Sequence, residues 1–217
     1  MRRLFIALLV PIVLFAAGCQ TVSYAVKERF GIHKRDILVA RVQDARQAQD
    51  AARQQFSSAL EQFTAVTGNT GGPLADKYAK LRKELDRCEA RASDVRQRID
   101  EIEHVSRALF REWNNELGDY KDQSLQRSSR DQLAATERRF EDLAAALHRA
   151  AATMEPVLDR FRDQVLFLKH NLNASAIAQL ETNHRQLAAE ISHLISEMEA
   201  SIREADAFLA AMPVETR

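Results

Sequence analysis

Leu74, Tyr78, Leu81, Leu85, Cys88, Ala92, Val95, Ile99, Ile102, Ser106, Leu109 and Trp113 follow one another at strict spacings of four, three, four, three. Only Ser106 in that series is not apolar. A period of 3.5 kept up for 40 residues is a coiled-coil seam, because a straight helix repeats at 3.6 and drifts off such a stripe unless it supercoils. At 1.5 Å per residue the stretch spans roughly 60 Å. The spacing predicts one long helix over 74–126, weakened near Asn114, Asn115 and Gly118.

The breakers on either side mark out further helices. Upstream, Thr67-Gly68-Asn69-Thr70-Gly71-Gly72 has loop composition, and Pro73 suits the first turn of a following helix. Before that loop, Val42, Phe56 and Phe63 occupy one heptad position and Ala45, Ala52, Ala59 and Val66 the other. This predicts a helix over 36–66 with Asp36 as its N-cap and Gln49 interrupting the apolar series. Downstream, Ser129 followed by Gln132 reads as a capping box for a helix over 129–170. Its stripe runs from Leu133 through Phe140, Leu147, Met154 and Phe161 to Leu168, and Pro156 predicts a kink near Thr153. A fourth helix over 174–212, capped by Asn173, carries Ile177, Leu180, His184, Leu187, Ile191, Leu194, Met198, Ile202, Ala205, Leu209 and Met212.

Short connections between long helices make neighbours antiparallel. The expected fold is all-α: an elongated antiparallel bundle of about four long helices with coiled-coil character, spanning 36–217. The sequence leaves open whether the four close within one chain or pair as hairpins in a homo-oligomer.

The first 18 residues read as an address. Arg2 and Arg3 precede an apolar run from Leu4 to Ala17, too short for a comfortable membrane span, and Gly18-Cys19 follows. Ala16-Ala17-Gly18-Cys19 resembles a bacterial lipobox, with Ala16 where that pattern usually has Leu. The resemblance implies cleavage between Gly18 and Cys19 and acylation of Cys19. Gln20, in place of Asp, implies retention in the outer membrane, facing the periplasm. Losing residues 1–18 removes two arginines and no acid, leaving 199 residues with 29 basic and 31 acidic side chains. A chain so balanced lacks the basic excess of an electrostatic nucleic-acid binder.

Residues 19–35 form the expected tether. Lys27, Arg29, Lys34 and Arg35 are interleaved with Val22, Tyr24, Val26 and Phe30, so the segment is either an interfacial strip on anionic headgroups or a solvated linker.

Two longer segments carry a family likeness. Gly31-Ile32-His33-Lys34-Arg35-Asp36-Ile37-Leu38-Val39 and Leu168-Lys169-His170-Asn171-Leu172-Asn173-Ala174 resemble a bacterial lipoprotein family designated domain of unknown function 2959. The likeness extends through Ala45 to Phe63, Leu109 to Trp113 and Glu199 to Phe208. It implies the helical fold and the envelope compartment, and brings no activity, cofactor or catalytic residue.

Reactive residues are sparse. Glu101-His104, Glu181-His184 and Glu190-His193 have the Glu-x-x-His spacing used by di-metal bundles, but i, i+3 pairs also arise as surface contacts. Cys88 sits in a seam, where a buried thiol is the simple reading and an interchain disulfide the alternative. Lys169, His170, Asn171 and Asn173 form a tip loop that either meets a protein partner or caps helix ends. No Gly-x-Ser-x-Gly, phosphate loop or His-Glu-x-x-His occurs. The expectation is a non-enzymatic scaffold, spacer or adaptor without cofactor or metal, lipid-anchored in the cell envelope. The alternative is a bundle that binds a metal ion or small ligand in its core.

Overall fold

The computed structural model describes residues 34–68, 72–171 and 174–212. Four long helices follow in order: α1 Lys34–Gly68, α2 Leu74–Glu116, α3 Gln123–His170 and α4 Ala174–Ala211. One 3-10 turn, Leu117–Asp119, joins α2 to α3.

α1 packs on α2, α2 on α3, α3 on α4, and α4 returns to α1. The bundle therefore closes within one chain. Cross-helix contacts show that each adjacent pair is antiparallel. Lys34 meets Glu112 while Gln55 meets Glu84, and Arg46 meets Asp206 while Thr64 meets His184. The base of the rod holds the start of α1, the α2–α3 turn and the end of α4. The tip holds the α1–α2 and α3–α4 connections. α3, with 48 residues, sets a length of roughly 70 Å.

The α2 seam is the spine of the core. Leu81, Leu85, Cys88, Ala92, Val95, Ile99, Ile102 and Ser106 are all buried, with Leu74 and Tyr78 packed at its margin. Aromatic side chains gather towards both ends. Near the tip, Phe63 of α1 meets Phe161 of α3 edge-on at 6.1 Å, a contact across the diagonal of the bundle. Towards the base, Phe140 meets Phe110 at 5.6 Å and Phe208 at 6.1 Å.

Several boundaries differ from the sequence reading. α1 begins by Lys34, so Lys34 and Arg35 belong to the helix rather than to the 19–35 tether. Asp36 lies in the first turn, where its charge suits the positive end of the helix dipole. The helix expected over 74–126 ends at Glu116, and α3 begins at Gln123 rather than at 129. Asp122 is the N-cap: its carboxylate accepts from the backbone N–H of Ser124 at 2.7 Å and of Leu125 at 3.3 Å. Ser129, read as a cap, is buried inside α3. The turn is held by Gln126, whose amide Nε2 donates to the carbonyl of Leu117 at 2.8 Å.

α3 runs through Pro156 as one helix. Pro156 has no N–H to offer the carbonyl of Ala152, and one residue further on Thr153 donates its hydroxyl to the carbonyl of Ala150 at 2.8 Å. One further difference lies in α4. There the strict four-three register continues from Leu194 and Met198 to Ser201, Ala205, Phe208 and Met212, all buried. Ile202 and Leu209, expected in the stripe, flank it half-buried.

Candidate functional site

The residues singled out in the sequence fall at the two ends of the rod and in its seams. At the base, Lys34 Nζ donates to Glu112 Oε1 at 2.7 Å with its side chain 13% exposed. It is turned against α2 rather than away from the bundle. Arg35 lies in the wall of a cleft beside Trp113. The other two cations of the expected patch, Lys27 and Arg29, lie outside the described residues, as do Gly18 and Cys19.

At the tip, Lys169 and His170 are exposed in the last turn of α3, where cations oppose the negative end of the dipole. Asn171 is a cap. Its side-chain Nδ2 and its backbone N–H both donate to the carbonyl of Phe167, at 2.9 and 3.0 Å. Asn173 lies outside the described residues. On the neighbouring corner Lys77, 7% exposed, donates Nζ to the carbonyl of Val66 at 3.3 Å and so covers the end of α1. Gly72 takes φ +87°, which lets the chain turn into Pro73 and α2.

The three Glu-x-x-His pairs are not brought together. Glu101 is held by Arg41 at 3.4 Å and Arg98 at 3.2 Å, and Glu190 by Arg160 at 2.6 Å. His184 stacks on Phe63 with ring centroids 5.9 Å apart, and its Nε2 lies 2.7 Å from the hydroxyl of Thr64. Among the described residues no group of three or more His, Cys, Asp and Glu is placed to hold a metal ion.

Cys88 is fully buried in the core, its thiol donating to the carbonyl of Gln55 at 3.9 Å. Burial pushes its pKa up to about 12. A thiol in this position is kept from the thiolate that attacks disulfides, and a second chain reaches it only if the bundle opens.

Charged groups link the helices along the outside. Arg162 of α3 bridges Glu89 of α2 at 2.6 Å and Glu155 and Asp159 of its own helix at 2.9 and 2.6 Å. The hydrogen bond from Arg162 is the largest cause holding the Glu155 carboxyl below its ordinary range. Glu103 lies 2.6 Å from His148 Nε2, and that hydrogen bond, followed by Arg107, lowers its pKa too. These pairs fasten neighbours.

The seam spacing does not mark the base cleft. Trp113 ends the α2 seam half-buried, and its indole Nε1 donates to the Oγ of Ser129 at 2.8 Å, as the Tyr120 hydroxyl does at 3.3 Å. Trp113 is the one tryptophan of the chain and lies at the end of a seam where core residues give way to Asn114 and Asn115.

Among the described residues, fold and site together define an antiparallel four-helix bundle that closes on itself, with clefts at its base. The chain belongs to the family described as "Protein of unknown function (DUF2959)", whose model matches residues 23–212. No curated protein and no solved structure matches it.

Proposed function

We propose that the protein is a lipid-anchored spacer or adaptor of the cell envelope, held in the outer membrane by Cys19 and presenting its tip to a protein partner in the periplasm. The observation that carries this reading is the short distance between two features. The lipobox cysteine stands 15 residues ahead of Lys34, where a rod of roughly 70 Å begins. Fifteen residues reach at most about 50 Å, so an anchor at Cys19 keeps the base of the bundle near the bilayer. The tip, with exposed Lys169 and His170, then stands far from it. The described helices include none long and apolar enough to cross a membrane. Lys27, Arg29 and the exposed Arg35 add headgroup contacts, while Lys34 pairs with Glu112.

The anchor is tested by radiolabelled fatty acid and membrane fractionation of wild type and Cys19→Ser. Label and membrane association in the wild type, both lost in the variant, are expected. A variant that still fractionates with the membrane and keeps its label overturns the reading. Crosslinking from positions 69 and 171 in cells identifies the tip partner.

One observation favours a second reading, a bundle that takes a small polar ligand in its core. Gln49 is fully buried and neither polar atom of its amide has a partner in the protein. Native mass spectrometry of protein purified without chelator, showing a bound mass that Gln49→Leu abolishes, would support it. An empty bundle in both forms would remove it.

A further inference from the structure

The four helices end at different heights at the base. Phe140 of α3 meets Phe208 of α4, and α4 stops three residues later at Ala211, whereas α3 reaches back a further 17 residues to Gln123. α1 starts at Lys34, opposite Glu112 of α2. Among the described residues the α2–α3 turn is therefore the outermost part of this end. It carries two large apolar side chains in the open. Tyr120 is 41% exposed, and Leu125, in the first turn of α3, is 57% exposed. Both border the same recess, whose wall also holds Leu109 and Trp113. Among the described residues one other large hydrophobic side chain is comparably exposed, Leu166. It lies on α3 towards the tip, roughly 60 Å from Leu125 along the helix.

We infer that Tyr120 and Leu125 enter the headgroup interface of a phospholipid bilayer, giving the rod a second membrane contact beside its N-terminal tether. This rests on the reading above that places the base towards the bilayer. Three observations favour a bilayer as the occupant. First, the exposed pair stands at the end of the rod where the chain leads back to Cys19. The 15 residues from Cys19 to Lys34 reach at most about 50 Å, so an anchored chain holds this turn close to lipid. Second, the side chains suit an interface. The Tyr120 ring is apolar while its hydroxyl donates to Ser129 Oγ at 3.3 Å, and amphipathic aromatic groups of this kind settle at headgroup level. Third, the backbone there is prepared for leaving water. The Asp122 carboxylate accepts from the N–H groups of Ser124 and Leu125, so these orphan donors of the first turn keep a partner.

Charge does not drive the contact. Asp119, Asp122 and Asp131 balance Lys121, Arg127 and Arg130 around the turn, all of them exposed. The attraction is the removal of apolar surface from water, so neutral lipid suffices. A tether limits how far the base strays but not where the rod points. Holding down its outermost turn sends Lys169 and His170 away from the bilayer.

The test supplies a tether without acylation. The mature chain from residue 19 carries Cys19→Ser and a polyhistidine tag ahead of it, and is held on phosphatidylcholine vesicles by a nickel-chelating lipid. Leu125→Cys or Leu166→Cys is labelled with an environment-sensitive nitrobenzoxadiazole dye under native conditions, where Cys88 is buried. The expected result is a blue shift, a gain in emission and quenching by spin-labelled lipid at position 125, in low and high salt alike, with none of these at position 166. Adding Tyr120→Ser is expected to reduce the response at 125. A silent dye at 125 overturns the proposal. So does an equal response at both positions, which would lay the rod flat on the bilayer. A response at 125 that needs anionic lipid and vanishes in salt overturns it in favour of charge-driven adsorption. A photocrosslinker at 125 in cells that captures protein and no lipid overturns it in favour of a protein partner. Because the tag replaces the lipid, a silent 125 with acylated Cys19 removes this contact and leaves the anchor, whereas a response at 125 with Cys19 unmodified in cells does the reverse.

Discussion

Trp113 and Ser129 are joined by a 2.8 Å hydrogen bond that ties the last turn of α2 to the second turn of α3. The serine lies inside a helix, 8% exposed, and its Oγ accepts from both the Trp113 indole and the Tyr120 hydroxyl. One hydroxyl thus fixes both aromatic side chains that flank the turn. Ser129→Ala leaves two donors without their acceptor and is expected to cost about 1–2 kcal/mol. Urea unfolding checks the loss, and Trp113 emission checks that it arises at this end. An unchanged midpoint would show that water replaces the serine without cost.

Gln49 sits in the α1 stripe at the place where a heptad calls for an apolar residue. It is 0% exposed, and both Nε2 and Oε1 lack partners within the protein. A buried amide in that condition carries an uncompensated desolvation cost. Methionine has nearly the same shape, so Gln49→Met is expected to raise stability by about 1–3 kcal/mol. Measurement is by chemical denaturation. A loss of stability would mean that the amide is satisfied by an internal water or ligand, which would strengthen the core-binding reading.

How much of this was legible in the sequence depends on which force sets each feature. Seam positions are set by burial at a fixed period, so α2 could be read residue by residue from Leu81 to Leu109. Even Gln49 fell where the period put it. In α4 the same rule holds against residue chemistry. Geometry keeps Ser201 in the seam, its hydroxyl satisfied by the carbonyl of Met198 at 2.8 Å, and leaves the more apolar Ile202 half-buried. Reading by hydrophobicity there shifted the stripe by one residue. The α2–α3 turn was misplaced because two local signals compete. Ser129-x-x-Gln132 imitates a capping box, while Asp122 with Ser124 and Leu125 forms the actual cap. Only the tertiary bond to Trp113 decides between them. The base cleft exists because helices of unequal length end at different heights, and no local pattern records that.

Glu103 and His148 give the α2–α3 interface a pH dependence. The hydrogen bond from His148 and the contact with Arg107 lower the Glu103 pKa from 4.5. A carboxyl whose folded pKa is depressed contributes stability above its unfolded pKa and loses that contribution as pH falls through the folded value. The window therefore lies below about pH 4.5. Glu103→Gln is expected to flatten the acid limb of the stability profile there. Thermal unfolding at a series of pH values checks this. An acid limb of the same depth in Glu103→Gln would show that other carboxylates dominate.

Cys88 distinguishes a sealed seam from one that opens. Its thiol is buried and its pKa pushed up to about 12, with burial as the largest cause. At neutral pH almost none of it is thiolate, and no reagent reaches it in the closed bundle. In unlipidated mature protein carrying Cys19→Ser, Cys88 is the only thiol. Labelling by an aromatic disulfide reagent is expected to be slow and to follow bundle opening, accelerating as urea approaches the unfolding midpoint. Phe161→Ala removes the ring that meets Phe63 across the diagonal. It is expected to destabilise by about 3–5 kcal/mol and to speed labelling of Cys88 in proportion. Rapid labelling of the wild type, insensitive to urea and to Phe161→Ala, would mean that the α1–α2 seam opens locally without the rest of the rod. The bundle would then be two hairpins in loose contact rather than a single cooperative unit.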